Sequence, residues 1–367
     1  MPRSGKTRQR GRVLHVSYSD LRMFLSCPRL LFWKNNPDVP NPVDYPRLGG
    51  IAVHDHVRQI HHPTKDGRPF FFRTKRSTLN AFYARWQREL EYAKGKGLLI
   101  DPSADDDDKF LRIEMLCLSN YWEMMNGRPA PVEVEQRYRW NYKPQVRMVG
   151  VFDQVHNVSL DWIAKKRPEL VINGILNPEY APVVILDLKT EFSTFDPAEK
   201  VVNPTDKDWI KQQFELHEYF QPTFYMWLYK MKHGKWPVGF LWYHLRTNKM
   251  FFTFREERDF QEMFLAIDHF IDSHNAASFP KNVGRHCAKC DYCLPCHGAR
   301  PFLKSLPDGL PNAPAMMEVV ASQIMEAEKQ LCLKIKVGRR KKVEIAAEPI
   351  SGPPVIRELP VVSELNL

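Results

Sequence analysis

The chain has 367 residues, 43% of them hydrophobic and 12% aromatic, with a formal net charge of +10. That is enough apolar material for one large or two modest domains, and it excludes a chain too polar to fold. No apolar run approaches the ~18 residues of a membrane span, and the opening M-P-R-S-G-K-T-R-Q-R-G-R lacks the apolar stretch of a signal peptide. The positive surplus favours a polyanionic partner. Clustered cysteine without a secretory leader predicts an intracellular, cytoplasmic setting in which thiols hold a metal rather than each other.

Residues 1–16 read as a flexible basic arm. Ser19 is expected to cap a helix with Leu21, Phe24 and Leu25 on its apolar face, ended by Pro28 just after Cys27. A proline-rich loop from Pro37 to Pro46 leads to Gly49-Gly50 and a short helical pattern containing His54. Residues 77–95 predict a helix with Phe82, Trp86 and Leu90 in one row, Asp105 to Asp108 a solvated acidic loop, and residues 109–124 a further helix. Strands follow around 132–135, 147–155 and 182–188, then an aromatic helix within 208–230. Gly239–His244 and Met250–Phe254 read as paired strands, and 257–272 as a helix leading into the cysteine segment. Beyond residue 300 come a helix near 314–336 with an apolar side (Met316, Met317, Val320, Ile324, Ala327), a basic run from Lys334 to Lys342, and a proline-containing tail.

Seven cysteines occur, four of them between 287 and 296 in H-C-A-K-C-D-Y-C-L-P-C-H. Thiolates so close together grip zinc or an iron–sulfur cluster. Cys287-x₂-Cys290-x₅-Cys296, with the isolated Cys27 upstream, favours a [4Fe–4S] cluster closed from both ends of a domain, with Cys293 as a non-ligand. A local zinc site drawing on Cys293 or His297 is the rival. Cys117 and Cys332 sit on apolar helical stretches and read as core.

Between the cysteines lie His54, Glu133 or Glu135, Asp153, and Asp187-Leu188-Lys189. Residues i and i+2 of a strand share a face, so Asp187 and Lys189 emerge together at the end of V-V-I-L-D-L-K. A carboxylate ending an apolar strand is costly unless solvated, paired or metal-bound. Carboxylates on two strands suit Mg²⁺ or Mn²⁺, and a lysine beside them can orient water or stabilise charge developing on a phosphate.

The order of these residues resembles the PD-(D/E)xK nuclease superfamily, in its RecB-like branch with an iron–sulfur cluster, which includes the CRISPR-associated exonucleases and AddB-type nuclease domains. The likeness spans roughly residues 17–299. It rests on Cys27-Pro28-Arg29, Gly50-x₃-His54, Gly150-x₂-Asp153, Asp187-x-Lys189, Gln221-x₃-Tyr225 and the C…C-x₂-C-x₅-C signature. The resemblance implies an α/β fold: a restriction-endonuclease-like core with a central mixed sheet flanked by helices, plus a cluster subdomain. The expected division is 17–125 helical, 126–256 nuclease core, 257–299 helix and cysteine segment, and 300–367 C-terminal tail.

The resemblance also implies roles. His54, Asp153 and Asp187 would ligate the catalytic metal, the Leu188 carbonyl could join them, and Lys189 would be the catalytic lysine. Gln221 and Tyr225 would face the cleft from one side of a helix, Gln213 being a rival for the glutamine. Glu133 or Glu135 would supply an acid from the first core strand, and Cys27, Cys287, Cys290 and Cys296 would hold the cluster. The implied activity is metal-dependent DNA hydrolysis, most of all exonuclease action on single-stranded or frayed ends, with Trp33, Phe220 and Tyr225 as candidate base-stacking residues. No G-x-x-x-x-G-K-[ST] is present, so a separate helicase, recombination or integration partner is expected; a homo-oligomer is a further expectation. The alternatives are a non-catalytic DNA-binding or scaffolding protein on this fold, and a defence endonuclease acting on DNA or RNA. The 34-residue interval from Asp153 to Asp187 exceeds a simple hairpin and predicts a surface loop or a small addition over the cleft.

Overall fold

The computed structural model describes residues 13–36, 43–61, 74–96, 104–190, 213, 216–284, 287, 290, 292 and 296. These residues all belong to one compact unit, Met1–Cys296. Most of the expected N-terminal arm, Cys293, His297, Cys332 and everything expected of residues 300–367 lie outside the described residues.

The chain opens with β1 (Leu14–Ser17) and α1 (Tyr18–Ser26). Ser17, not Ser19, caps α1: its hydroxyl accepts from the Asp20 N–H at 3.2 Å while Asp20 reaches back to the Ser17 N–H. Leu21 and Phe24 are buried as expected, but Leu25 is 43% exposed. The first helix ends at Ser26, as Pro28 predicts, and Pro28 opens a second helix, α2 (Pro28–Lys34).

Next comes α3 (Tyr45–His61), which begins before Gly49-Gly50 and runs through them. Glycine is required at 49 because a side chain there would collide with Glu114. Helices α4 (Lys75–Gly95) and α5 (Ala104–Met125) follow. Asp105–Asp108 therefore lie at the start of α5 and not in a loop.

Strands β2 (Glu133–Lys143) and β3 (Val146–Asn157) make a hairpin. The long interval after Asp153 folds into α6 (Leu160–Lys166), a 3₁₀ turn and a small hairpin of β4 (Val171–Ile172) and β5 (Ile175–Leu176). Asn173 and Gly174, at φ 53° and 75°, turn that hairpin. Then come β6 (Tyr180–Lys189), α7 (Phe220–His233), β7 (Trp236–His244), β8 (Lys249–Thr253) and α8 (Glu257–Asn275).

Six strands form one mixed sheet, with β6 and β7 parallel and β3–β6 and β7–β8 antiparallel. One face packs on α1, α7 and α8 through Phe24, Ile185, Phe224 and Ile267. The other packs on α3, α4 and α5 through Val53, Trp86, Leu118 and Leu188, with α6 and its turn covering the rest through Ile163 and Leu170. No helix among the described residues is long and apolar enough to cross a membrane.

Candidate metal and phosphate site

Strand β3 has β2 along one edge and two partners in tandem along the other. Strand β1 pairs with residues 146–149, and β6 pairs with residues 154–157. Between those stretches the edge is open, and Asp153 sits at its end. Here the Leu188 N–H, which a continuous ladder would spend on a backbone carbonyl, donates to the Asp153 carboxylate at 2.7 Å. The backbone N–H of Leu188 is thereby tied to the site.

The side-chain period of β3 also breaks at this point. Phe152 packs on Tyr225 of α7, and Val155 joins the same core. Gln154, between them, bonds to Tyr121 of α5 on the opposite face. Two residues three apart on one face mean one step of alternation is lost at Asp153.

Helix α3 supplies the histidine. Its Leu48, Ala52, Val53 and Val57 are buried, while Arg47, Gly50, His54 and Arg58, at three- and four-residue spacing, line a cleft of about 1050 Å³. His54 Nδ1 lies 3.3 Å from Asp153 Oδ1 and 3.9 Å from Glu135 Oε1. One ligand atom from each of His54, Glu135 and Asp153 falls within 4.8 Å of the others, a set able to hold a metal ion. Burial opposes charge on His54, but the Asp153 carboxylate, aided by Glu135 and Asp187, outweighs it and raises the imidazole to about 10. Burial also disfavours the Asp153 carboxylate, and the His54 charge overcomes this to hold it below the usual range.

Of the two glutamates, Glu135 is the one brought to His54 and Asp153. Glu135 has φ 48°, a left-handed conformation costing roughly 1–2 kcal/mol for a residue with a side chain. Its neighbours pair as Val134↔Gln154 and Gln136↔Phe152, which places Glu135 opposite Asp153. Glu133 instead accepts from Tyr138 and approaches His233, at 3.3 Å.

Asp187 and Lys189 share a face of β6, as their spacing predicts, and form an ion pair at 2.6 Å. Gln221 on α7 binds both, donating to Asp187 at 2.7 Å and accepting from Lys189 at 3.1 Å. Of the expected ligand set, His54 and Asp153 fall in this trio, and Asp187 lies beside it. Glu135 completes the trio, and Asp187 is held beside it by the lysine and the glutamine. Burial pushes Asp187 up to about 6 against the pull of Lys189. Burial works against the Lys189 charge, and Asp187 and Asp153 more than compensate, raising it.

Tyr225 lies between Phe152 and Phe240, at ring distances of 4.8 and 6.2 Å. Burial pushes its phenol far up, so it serves as a neutral support. The rival Gln213 is buried elsewhere, bonded to the Phe252 carbonyl at 2.7 Å.

Two residues escaped the sequence reading. Arg22 of α1 lines the cleft, and Tyr18, one turn earlier on the same helix, interacts with Arg22, Lys189 and Asp187. The signal was their i, i+4 spacing directly after a strand, which places both on one helix face. Trp33, expected to stack on bases, is only 1% exposed and belongs to the core. The 158–180 insertion contributes nothing to the cleft lining; it packs instead on Val184, Val238 and Phe252 of the sheet through Ile163 and Leu170.

Cys27 lies between α1 and α2 and is tied to the segment after α8. The Asn282 N–H points at Cys27 Sγ at 3.4 Å, and the Asn282 amide donates to the Ser26 carbonyl at 2.8 Å. The Gly284 N–H points at Cys287 Sγ at 3.5 Å. Burial raises the Cys296 thiol, and its neighbour Cys27 adds to the rise. Cys27 and Cys287 are buried, and Cys290 and Cys296 half-buried. Set beside known proteins, the chain matches no family model and no curated sequence.

Proposed function

We propose that this chain is a metal-dependent nuclease acting on DNA, a member of the PD-(D/E)xK superfamily in its RecB-like, iron–sulfur branch. The supporting observation is the meeting of the His54–Glu135–Asp153 trio with the Asp187–Lys189 ion pair where β3 and β6 part. A nitrogen and two carboxylates suit a hard divalent ion such as Mg²⁺ or Mn²⁺. Such an ion, when bound, supplies Lewis acidity and a more acidic bound water.

The chain's own groups account for the rest. His54 must shed its proton to become a ligand. Lys189, fixed by Asp187 and Gln221, keeps its charge where a scissile phosphate would accumulate negative charge. Arg22, with no acidic partner among the described residues, offers a phosphate contact on the α1 side of the cleft. Arg58 is already paired with Asp55.

Cys27, Cys287, Cys290 and Cys296 are the donors proposed for a [4Fe–4S] cluster. Backbone N–H groups aimed at two of the sulfurs suit them as thiolates. A cluster there would fasten the α1–α2 junction to the segment after α8.

The decisive experiment incubates iron-replete protein with labelled single- and double-stranded DNA and RNA in Mn²⁺ or Mg²⁺, beside Lys189→Ala. Cleavage of DNA that requires the metal and falls by at least about 10²-fold in the variant is expected. No cleavage by the intact chain, or equal cleavage by the variant, would defeat the reading.

A further inference from the structure

A second cavity of about 410 Å³ lies on the face of the sheet that carries α5 and α6, within the size range of small-molecule pockets. It draws on His156 and Asn157 of β3 and on Val184 and Leu186 of β6, whereas the metal cleft draws on Val151 and Asp153, and on Leu188 and Lys189. At their nearest the two linings lie two residues apart on β6 and three apart on β3, roughly 7–10 Å along the strands.

Its floor is a row across three strands, for Leu186 pairs with Leu241 and Leu241 with Phe252. The Phe252 ring lies over Gly239, where any side chain would collide with it. Trp162 of α6 meets Phe252 edge-on at 5.3 Å. Leu186 and Phe252 are buried and Leu241 half-buried, so the row presents chiefly Leu241, with the indole beside it, to a planar body.

The polar lining is one-signed. Arg128 and Lys166 border the cavity, and no carboxylate among the described residues lines it. Neither cation has an acidic partner among the described residues; Lys166 is disturbed only by burial and by Lys165. His156 is bonded to Gln154 Oε1 at 2.7 Å. An amide oxygen only accepts, so Nε2 carries the proton and Nδ1 is left as an acceptor for a donor on a ligand. Asn157 and Ser159 add hydrogen-bonding capacity.

We infer that this pocket binds a planar heteroaromatic anion of the nucleoside monophosphate class, its ring on the Leu186–Leu241–Phe252 floor and its phosphate between Arg128 and Lys166. The site is distinct from the metal cleft and stands whether or not that cleft hydrolyses DNA.

The test titrates the full chain calorimetrically with 2′-deoxyadenosine 5′-monophosphate in EDTA, so that no divalent ion recruits the nucleotide to the cleft. Saturable 1:1 binding is expected, weakened at least about tenfold by Arg128→Glu with Lys166→Glu and unchanged by Arg22→Glu in the cleft. Deoxyadenosine and inorganic phosphate should each bind at least about tenfold more weakly, since each lacks half of the recognition. Circular dichroism of the double variant establishes that it folds; should it not, Lys166→Gln alone carries the same comparison. Absence of saturation at millimolar nucleotide, undiminished binding by the charge-reversed protein, loss on Arg22→Glu, or equal binding of inorganic phosphate would overturn the inference.

Discussion

Glu114 provides a quantitative test of how α5 supports the helix that carries His54. The residue is fully buried on α5, pressed against Gly49 of α3, with the weakly donating Cys117 thiol beside its carboxylate. Burial raises its carboxyl to about 7 despite the neighbouring Arg246. A native value near 7 against 4.5 for the unfolded chain means that the native state binds more protons between those limits. Stability from this group is therefore complete below about pH 4.5 and is lost as pH rises towards and through 7. Two and a half pH units at about 1.4 kcal/mol each give a total near 3.5 kcal/mol, of which about 3 falls above pH 4.5. Glu114→Gln keeps the shape and removes the titration. Urea unfolding of both proteins from pH 4.5 to 8.5 cancels every other titrating group in the difference. The difference should move by about 3 kcal/mol in favour of the glutamine variant, nearly all of it below pH 7.5. Parallel stability profiles would show that Glu114 is solvated or paired and would refute the argument.

Three further outcomes follow from the cleft. Because His54 is held protonated up to about 10 by Asp153, Mn²⁺ binding at pH 8 should release close to one proton. Calorimetry in buffers of different ionisation enthalpy reads this, and a buffer-independent heat would contradict it. Arg22→Ala should weaken single-stranded DNA binding in Ca²⁺ and reduce the salt slope by about 0.7, the share of one phosphate contact, with Mn²⁺ affinity unchanged; an unaltered slope removes Arg22 from the substrate path. Gly150→Ala places a methyl 2.9 Å from Leu228 Cδ1 and 3.3 Å from Tyr225 Cε1. It should cost roughly 1–3 kcal/mol in urea, and a neutral result would mean that α7 can retreat from β3.

What could be read from the chain, and what could not, divides along the regularity of the backbone. Asp187 and Lys189 lie on a regular stretch of β6, so the two-residue period placed them together correctly. The same period applied to Glu133 and Glu135 made them equivalent, and it failed because Glu135 adopts a positive φ that no propensity assigns to glutamate. Asp153 was recognisable by its position in G-V-F-D, yet its function as a local substitute for a backbone acceptor depends on β1 and β6 sharing one edge of β3. That is a relation among segments about 130 and 30 residues away, and no local pattern encodes it. The cap of α1 differs in kind, since the information was present: Ser17 has Asp20 three residues on, whereas Ser19 has Arg22, and only the first pair can close a capping box. Moving the cap back two residues starts the helix at Tyr18 and puts Arg22 one turn later, on the cleft that Lys189 also lines. A residue that reads as ordinary surface charge on a helix thereby becomes part of the cleft wall. Irregular backbone at Glu135 and Asp153 carries a cost that a purely structural sheet would have no reason to bear, and it falls at the two carboxylates that meet His54.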